Sequence, residues 1–263
     1  MSVRAIFLPP TRIAPDKMPA TGPLADKTIM VTGAAGTIGA AVSHQVAAAG
    51  GSVVLLDRQE RALDRIYDQI MALGNAPPIQ VLQELADLTA ETVDLLASQL
   101  NEEFGKLDGL VHAAGEPPRL TPLEHLDPGH WSRLISVQLH APYLLTRGLL
   151  PLLRQAPQAS VIFTLWHRLG HLPAYWGATG VTSASLQALA EIWNEETEAN
   201  TEIMFFTVEP GPVASSARAQ ACPGEDPTTL ASPETAASGY LDLLLKPASG
   251  VRAGMCPGAA PST

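Results

Sequence analysis

Only two cysteines, Cys222 and Cys256, occur in 263 residues, and neither has a neighbour at disulfide-framework or metal-ligand spacing. A stapled scaffold and a thiolate metal site are therefore excluded, and a reduced cytoplasmic compartment is the default expectation. Positive charge is also scarce. Sixteen lysines and arginines stand against 26 aspartates and glutamates, giving a net charge of −10 and a pI near 5.1. That balance argues against a nucleic-acid backbone or an anionic membrane surface as a partner. No apolar run in the chain reaches the ~18 residues of a membrane span. Residues 1–26 carry five prolines and little periodicity. They read as an extended arm, either a loose tail or a strap on its own domain or a neighbouring subunit. A signal-peptide core with a cleavage site is not expected there. Lysine is missing between Lys106 and Lys246, an absence that matters for the chemistry below.

What is present is an apolar content of 46% and enough length for one large α/β core. The chain is organised around Lys27 to Asp57. Ile29, Met30 and Val31 form a short apolar run, as in a strand buried on both faces. Gly33, Gly36 and Gly39 punctuate the following turn, which also holds Thr37 and Ile38. An alanine-rich helical run from Ala40 stops at Gly50-Gly51, and Ser52 to Leu56 reads as a second strand closed by Asp57. Glycines let a backbone approach a pyrophosphate, a helix N-terminus offers N–H donors, and the acid accepts bonds from a ribose diol. The alternative is a glycine turn that only packs helix on strand.

Strand-like and helical runs alternate from there on. Gln59–Leu73 is an amphipathic helix, Ile79–Leu85 a strand, and Thr89–Phe104 a helix. Asp87-Leu88 between them could meet an adenine, or Asp87 could cap the helix. Leu107–Gly115 is a strand with a glycine exit, and Trp131–Leu153 a long helix carrying Pro142. Ser160–Leu165 is a strand, Gly177–Thr197 a helix, and Glu202–Val208 a strand before Pro210-Gly211. Ala214–Pro233 reads as a polar loop and Pro233–Leu245 as a last helix. The alternation predicts a single doubly wound domain over 27–263, a mostly parallel sheet with helices on both faces. Gly33, Asp57, Asp87, Gly115, Trp166 and Pro210 would line one crevice at the strand ends.

Thr32-Gly-Ala-Ala-Gly-Thr-Ile-Gly39, Asp57, Asp87-Leu88, His112-Ala-Ala-Gly115 and Pro210-Gly211 together resemble the short-chain dehydrogenase/reductase family, over residues 25–258. Ser160-Val-Ile-Phe-Thr, Trp176-Gly-Ala and Pro223-Gly-Glu-Asp-Pro are most similar to its YciK-type branch. The glycine loop departs slightly: Thr37 stands where the family's second glycine is usual, and that glycine has moved to Gly36. The resemblance implies a seven-stranded Rossmann domain and a dinucleotide site. That site would comprise Gly33, Gly36, Thr37, Ile38, Gly39, Asp57, Arg58, Asp87, Leu88, Ala114, Gly115, Pro210 and Gly211. It also implies association into a homodimer or homotetramer through the helices at 131–153 and 178–197, with Leu186, Leu189 and Ile192 as apolar contacts.

The family's proton-transfer group does not follow. Its members use a tyrosine as acid, a lysine four residues later to lower the tyrosine pKa, a serine thirteen residues before the tyrosine, and an asparagine in the preceding helix. A gapless alignment from Ser160 puts Trp166 at the serine, Thr179 at the tyrosine and Ser183 at the lysine; Gln138 stands at the asparagine. Trp166 would be a plug or a stacking surface for a ring. Tyr175 with Thr179 repeats the tyrosine–lysine spacing, but threonine carries no charge. His167 and His171 flank Trp166 and could titrate near neutrality.

Three function classes follow: a non-catalytic relative that binds NAD(H), or holds an empty site, and acts by association, with itself or an unidentified protein partner; an oxidoreductase with a relocated proton donor; or an enzyme of another reaction class. Asp57 predicts NAD(H) over NADP(H), because its charge repels a 2′-phosphate, with Arg58 softening the preference.

Overall fold

The apolar runs of the chain become strands because both of their faces are covered. In the computed structural model, which describes residues 6–8, 21–166, 172–197 and 202–245, the strands are β1 (Ile6–Leu8), β2 (Thr28–Thr32), β3 (Ser52–Asp57), β4 (Ile79–Leu82), β5 (Gly109–His112), β6 (Ala159–Thr164) and β7 (Ile203–Val208). Six of them, in the order β4-β3-β2-β5-β6-β7, form a parallel sheet. β1 lies antiparallel outside β4, with Ile6 opposite Leu82 and Leu8 opposite Gln80. This piece of the proline-rich arm therefore straps the edge of its own sheet, where an unpaired strand would otherwise be open to association. The rest of residues 1–20 falls outside the described residues.

The helices are α1 (Thr37–Ala48), α2 (Glu60–Ala72), α3 (Ala90–Phe104), α4 (Pro128–Ile135), α5 (Ala141–Leu153), α6 (Gly177–Thr197), α7 (Ser216–Ala221) and α8 (Pro233–Leu245). Strand parity sends side chains to two cores. Val161 and Phe205 join Leu96, Leu145 and Leu149 under α3, α5 and α6. Ile162 and Phe206 join Val42, Val46, Leu63 and Tyr240 under α1, α2 and α8. Leu186 is buried in the first core and Leu189 packs against it, so of the three residues expected at a subunit contact only Ile192 is exposed. No helix among the described residues is long and apolar enough to cross a membrane.

Four local features differ from the sequence expectation, each for a local reason. The strand expected at Ile79–Leu85 ends at Leu82, because Glu84 accepts from Ala86 N (3.2 Å) and turns Leu85–Asp87 into a 3-10 helix. Thr89, not Asp87, caps α3: its Oγ1 accepts from Thr92 N (3.2 Å). The long helix over 131–153 is α4 and α5 joined by a π-helical turn at Ser136–His140. Pro142 has no N–H and its ring crowds the carbonyl four residues back, that of Gln138, so the ladder widens there. The expected loop at 214–233 contains α7, capped by Ser215 Oγ accepting from Arg218 N (3.0 Å).

Candidate functional site

Chain order reverses at β2: the chain runs outward through β3 and β4, then returns to place β5 on the other side of β2. Helix-covered parallel sheets open a crevice at such a point. Gly33 ends β2 with φ +64 and abuts the Ala114 backbone, so a side chain there would be both strained and obstructed. Gly39, one turn into α1, would drive a Cβ into the Gly33 carbonyl. It brings helix and strand together and does not line the crevice. Gly36 caps α1 with no side-chain hydrogen bond, leaving the first-turn N–H groups without a capping side chain. That is the backbone arrangement an anionic phosphate needs.

The crevice has two lobes that share Gly36, Ala114 and Gly115 as floor. The first, about 550 Å³ of open space, adds Gly33, Leu56, Asp57, Arg58, Gln59, Gln83, Glu84, Leu85, Glu116 and Val137. The second, about 1050 Å³, includes Thr37, Ile38, Trp166, Trp176, Pro210, Gly211, Ser215 and Arg218. Most of the residues expected at a cofactor site therefore meet here. Asp87 and Leu88 do not: Asp87 is exposed on the 3-10 turn, Leu88 is buried in the core, and Gln83–Leu85 take the place at the end of β4. Asp57 turns inward, its two oxygens accepting from Ala35 N and Gln59 N, both at 3.1 Å.

Sequence reading missed a ring of charge in the first lobe. Arg133, on α4, donates from Nε to Glu116 Oε1 (2.6 Å) and from Nη2 to Glu84 Oε2 (3.0 Å). Arg58 reaches the same two oxygens through Nη1, at 3.4 and 3.2 Å. Partial burial opposes ionisation of Glu84, but bonds from Arg133, Ala86 N and Arg58 outweigh it and hold its carboxyl below the ordinary range. Its own bonds to Glu84 and Glu116 raise Arg133 against partial burial. The partners lie 49 and 17 residues from Arg133 in sequence, too far apart for any local pattern to signal them.

The four positions aligned with the family's catalytic group lie together between the lobes and α6. Trp166 N donates to Ser183 Oγ (3.1 Å), and Ser183 Oγ donates to the Thr179 carbonyl (3.0 Å). Thr182 Oγ1 lies 3.0 Å from that carbonyl and 2.9 Å from Gln138 Oε1. Gln138 Nε2 donates to the Glu116 carbonyl (3.3 Å), so the chain ends on the residue that also anchors the ion-pair ring. Gln138, Thr179 and Ser183 are almost fully buried, at 3%, 2% and 1% exposure. The Trp166 indole lies over Gly115: a Cβ built there would stand 2.9 Å from its Nε1. Tyr175 is more than half exposed, at φ +76, and lies outside both lobes. His167 and His171 fall outside the described residues.

His112, at the end of β5, stacks on Phe163 (5.0 Å between centroids) and meets Thr146 Oγ1 through Nε2 at 3.0 Å. Burial pushes its pKa down to about 3, so the ring is neutral at physiological pH. In the second lobe Arg218 makes a two-pronged pair with Glu225 (2.6 and 2.8 Å), closing α7 onto the loop after it.

Comparison with known proteins agrees with this geometry. The family model for short chain dehydrogenases matches residues 27–226. The uncharacterized oxidoreductase YciK of Escherichia coli K12 is 29% identical over 221 residues, 84% of this chain and 87% of its own. The solved structure of a protein of the short-chain-dehydrogenase type from Pseudomonas syringae superposes with a TM-score of 0.81 at 37% identity, covering 88% of this chain and 93% of that one. Another, from Escherichia coli CFT073 in complex with NADPH, gives 0.79 at 30% identity over 84% and 91%.

Proposed function

The chain belongs to the short-chain dehydrogenase family, and from that premise we propose that its crevice holds a nicotinamide dinucleotide while the family's tyrosine–lysine proton route is absent. The protein then acts by binding, through its own association or an unidentified partner, in a reducing cytoplasmic compartment. The residues present fit the cofactor. The uncapped first turn of α1 would take the pyrophosphate, the first lobe the adenosine half, and the second lobe the nicotinamide half. The bound cofactor supplies hydride in this family; a carbonyl accepting it also needs a proton donor in reach.

The observation that carries the non-catalytic half is the hydrogen-bond chain Trp166–Ser183–Thr179–Thr182–Gln138. Gln138 and Ser183 have their side chains bonded within the protein, Trp166 and Thr179 join the chain through main-chain atoms, and Gln138, Thr179 and Ser183 are buried. None is an acid, and no cation stands beside Thr179 among its bonded partners. Steady-state assays of aldehydes, ketones, quinones and secondary alcohols with both cofactors should give turnover at background. Turnover lost in His167→Ala or Tyr175→Phe would establish a relocated donor instead. That second reading, an oxidoreductase on an unidentified carbonyl or alcohol, draws support from the open second lobe and from relatives named as oxidoreductases and dehydrogenases.

On cofactor choice the expectation from Asp57 is revised to NADP(H). A relative of 30% identity is solved with NADPH. Asp57 is already bonded to two backbone N–H groups, and Arg58 stands on the rim of the same lobe, a cation within reach of a 2′-phosphate. Calorimetric titration with NADPH and NADH tests this; tighter NADH would return the assignment to Asp57.

A further inference from the structure

The four-membered ring is lopsided, and the asymmetry has a use. Arg133 holds Glu84 and Glu116 through two different nitrogens at 3.0 and 2.6 Å. Arg58 holds them through one nitrogen at 3.2 and 3.4 Å, and it is the more exposed of the two arginines, at 47% against 35%. Arg58 is therefore the member that can leave the ring while each glutamate keeps a partner. Its guanidinium has further donors beyond Nη1 to offer an incoming anion.

The charge around the first lobe shows why this matters. Asp57, Glu84 and Glu116 face Arg58 and Arg133, a net charge of −1 (three negative, two positive). A phosphate entering such a lobe meets the full charge of both glutamates unless they keep a cation after Arg58 turns to it. Among the described residues the other cation paired with Glu84 and Glu116 is Arg133, which sits on α4 and does not line the lobe itself.

We infer that Arg133 is a positioning residue for phosphate-bearing adenosine: it keeps a cation bonded to both Glu84 and Glu116, offsetting half of their charge, so that Arg58 is free to bind a 2′-phosphate. The inference rests on the dinucleotide reading of the crevice. It extends selectivity for the phosphorylated cofactor from Arg58 to a residue on a different element that does not line the lobe. Without Arg133, Arg58 would be needed by both glutamates, and the phosphate would compete with two carboxylates for one cation.

Calorimetric titration of Arg133→Gln with NADPH, NADH, 2′,5′-ADP and 5′-ADP tests it. The expected result is a loss of about tenfold or more for NADPH and 2′,5′-ADP, with NADH and 5′-ADP changed by less than about threefold. A structural role alone would weaken both cofactors alike. In the background of Arg133→Gln, adding Glu116→Gln should restore part of the NADPH affinity, since it removes one carboxylate competing for Arg58. Arg133→Lys, which keeps charge but not the two-nitrogen grip, should fall between wild type and Arg133→Gln. Equal losses for both cofactors, or no rescue by Glu116→Gln, would overturn the inference while leaving the dinucleotide reading intact. Wild-type protein that binds none of the four ligands would overturn that reading as well.

Discussion

A tyrosine introduced at residue 179 would meet a closed space. Thr179 is 2% exposed, and its carbonyl receives both Ser183 and Thr182. A phenol there overpacks the space beneath α6, so Thr179→Tyr should lower stability by roughly 1–3 kcal/mol and bring no turnover. Urea denaturation with a parallel reductase assay checks both parts. His112 gives a second prediction. Its pKa is about 3 when folded and near 6.5 when unfolded. Between those values the unfolded chain binds the extra proton, so stability is fully present above about 6.5 and falls as pH drops. The slope should approach about 1.4 kcal/mol per pH unit between roughly pH 6 and 5, above the range where carboxylates titrate. His112→Phe should flatten that segment of the curve, read by denaturation at each pH; an unchanged slope would remove His112 as its source. At this scale the family resemblance named Gln138, Trp166, Thr179 and Ser183, which stand on three separate segments, and hydrogen bonds do join them. It was silent on Arg133, whose partners come from other strands, and it pointed to Asp87 where Glu84 lies in the crevice. Either acid can follow a strand; a 3-10 turn capped by Glu84 decided between them.

The helices carry the assembly question. Leu186 and Leu189 face the sheet, which leaves Tyr143 on α5 and Val181 and Ile192 on α6 as the large exposed hydrophobic residues of the two helices. We propose that these, rather than the leucines, meet a second copy across a two-fold axis. Light scattering should give a dimer or tetramer, and Val181→Arg should shift it to monomer without lowering the melting temperature by more than a surface substitution does. A wild-type monomer at micromolar concentration would defeat the proposal. Helical periodicity in 178–197 showed that a helix forms, but apolar residues occur on more than one side of it, so which side meets the sheet depended on packing against Phe205 and the strands. The sequence expectation ran one helix straight through Pro142, and the π-helical turn at Ser136–His140 was not anticipated; the missing N–H of Pro142 accounts for it.

For the molecule as a whole, alternating strand and helix patterns were enough to give the doubly wound parallel sheet and the crevice at its switch point. The arm's pairing with β4 was not legible, because three residues of an edge strand carry too little periodicity to register. The central claim is that this crevice binds a dinucleotide and cannot pass its hydride to an ordinary carbonyl. One experiment addresses both parts: the fluorescence of NADPH is followed during titration of the protein, and a panel of carbonyl compounds is then added to the saturated complex. The account predicts a saturable signal that survives every addition at the rate of a protein-free control. No saturable binding, or a carbonyl that collapses the signal, would contradict it.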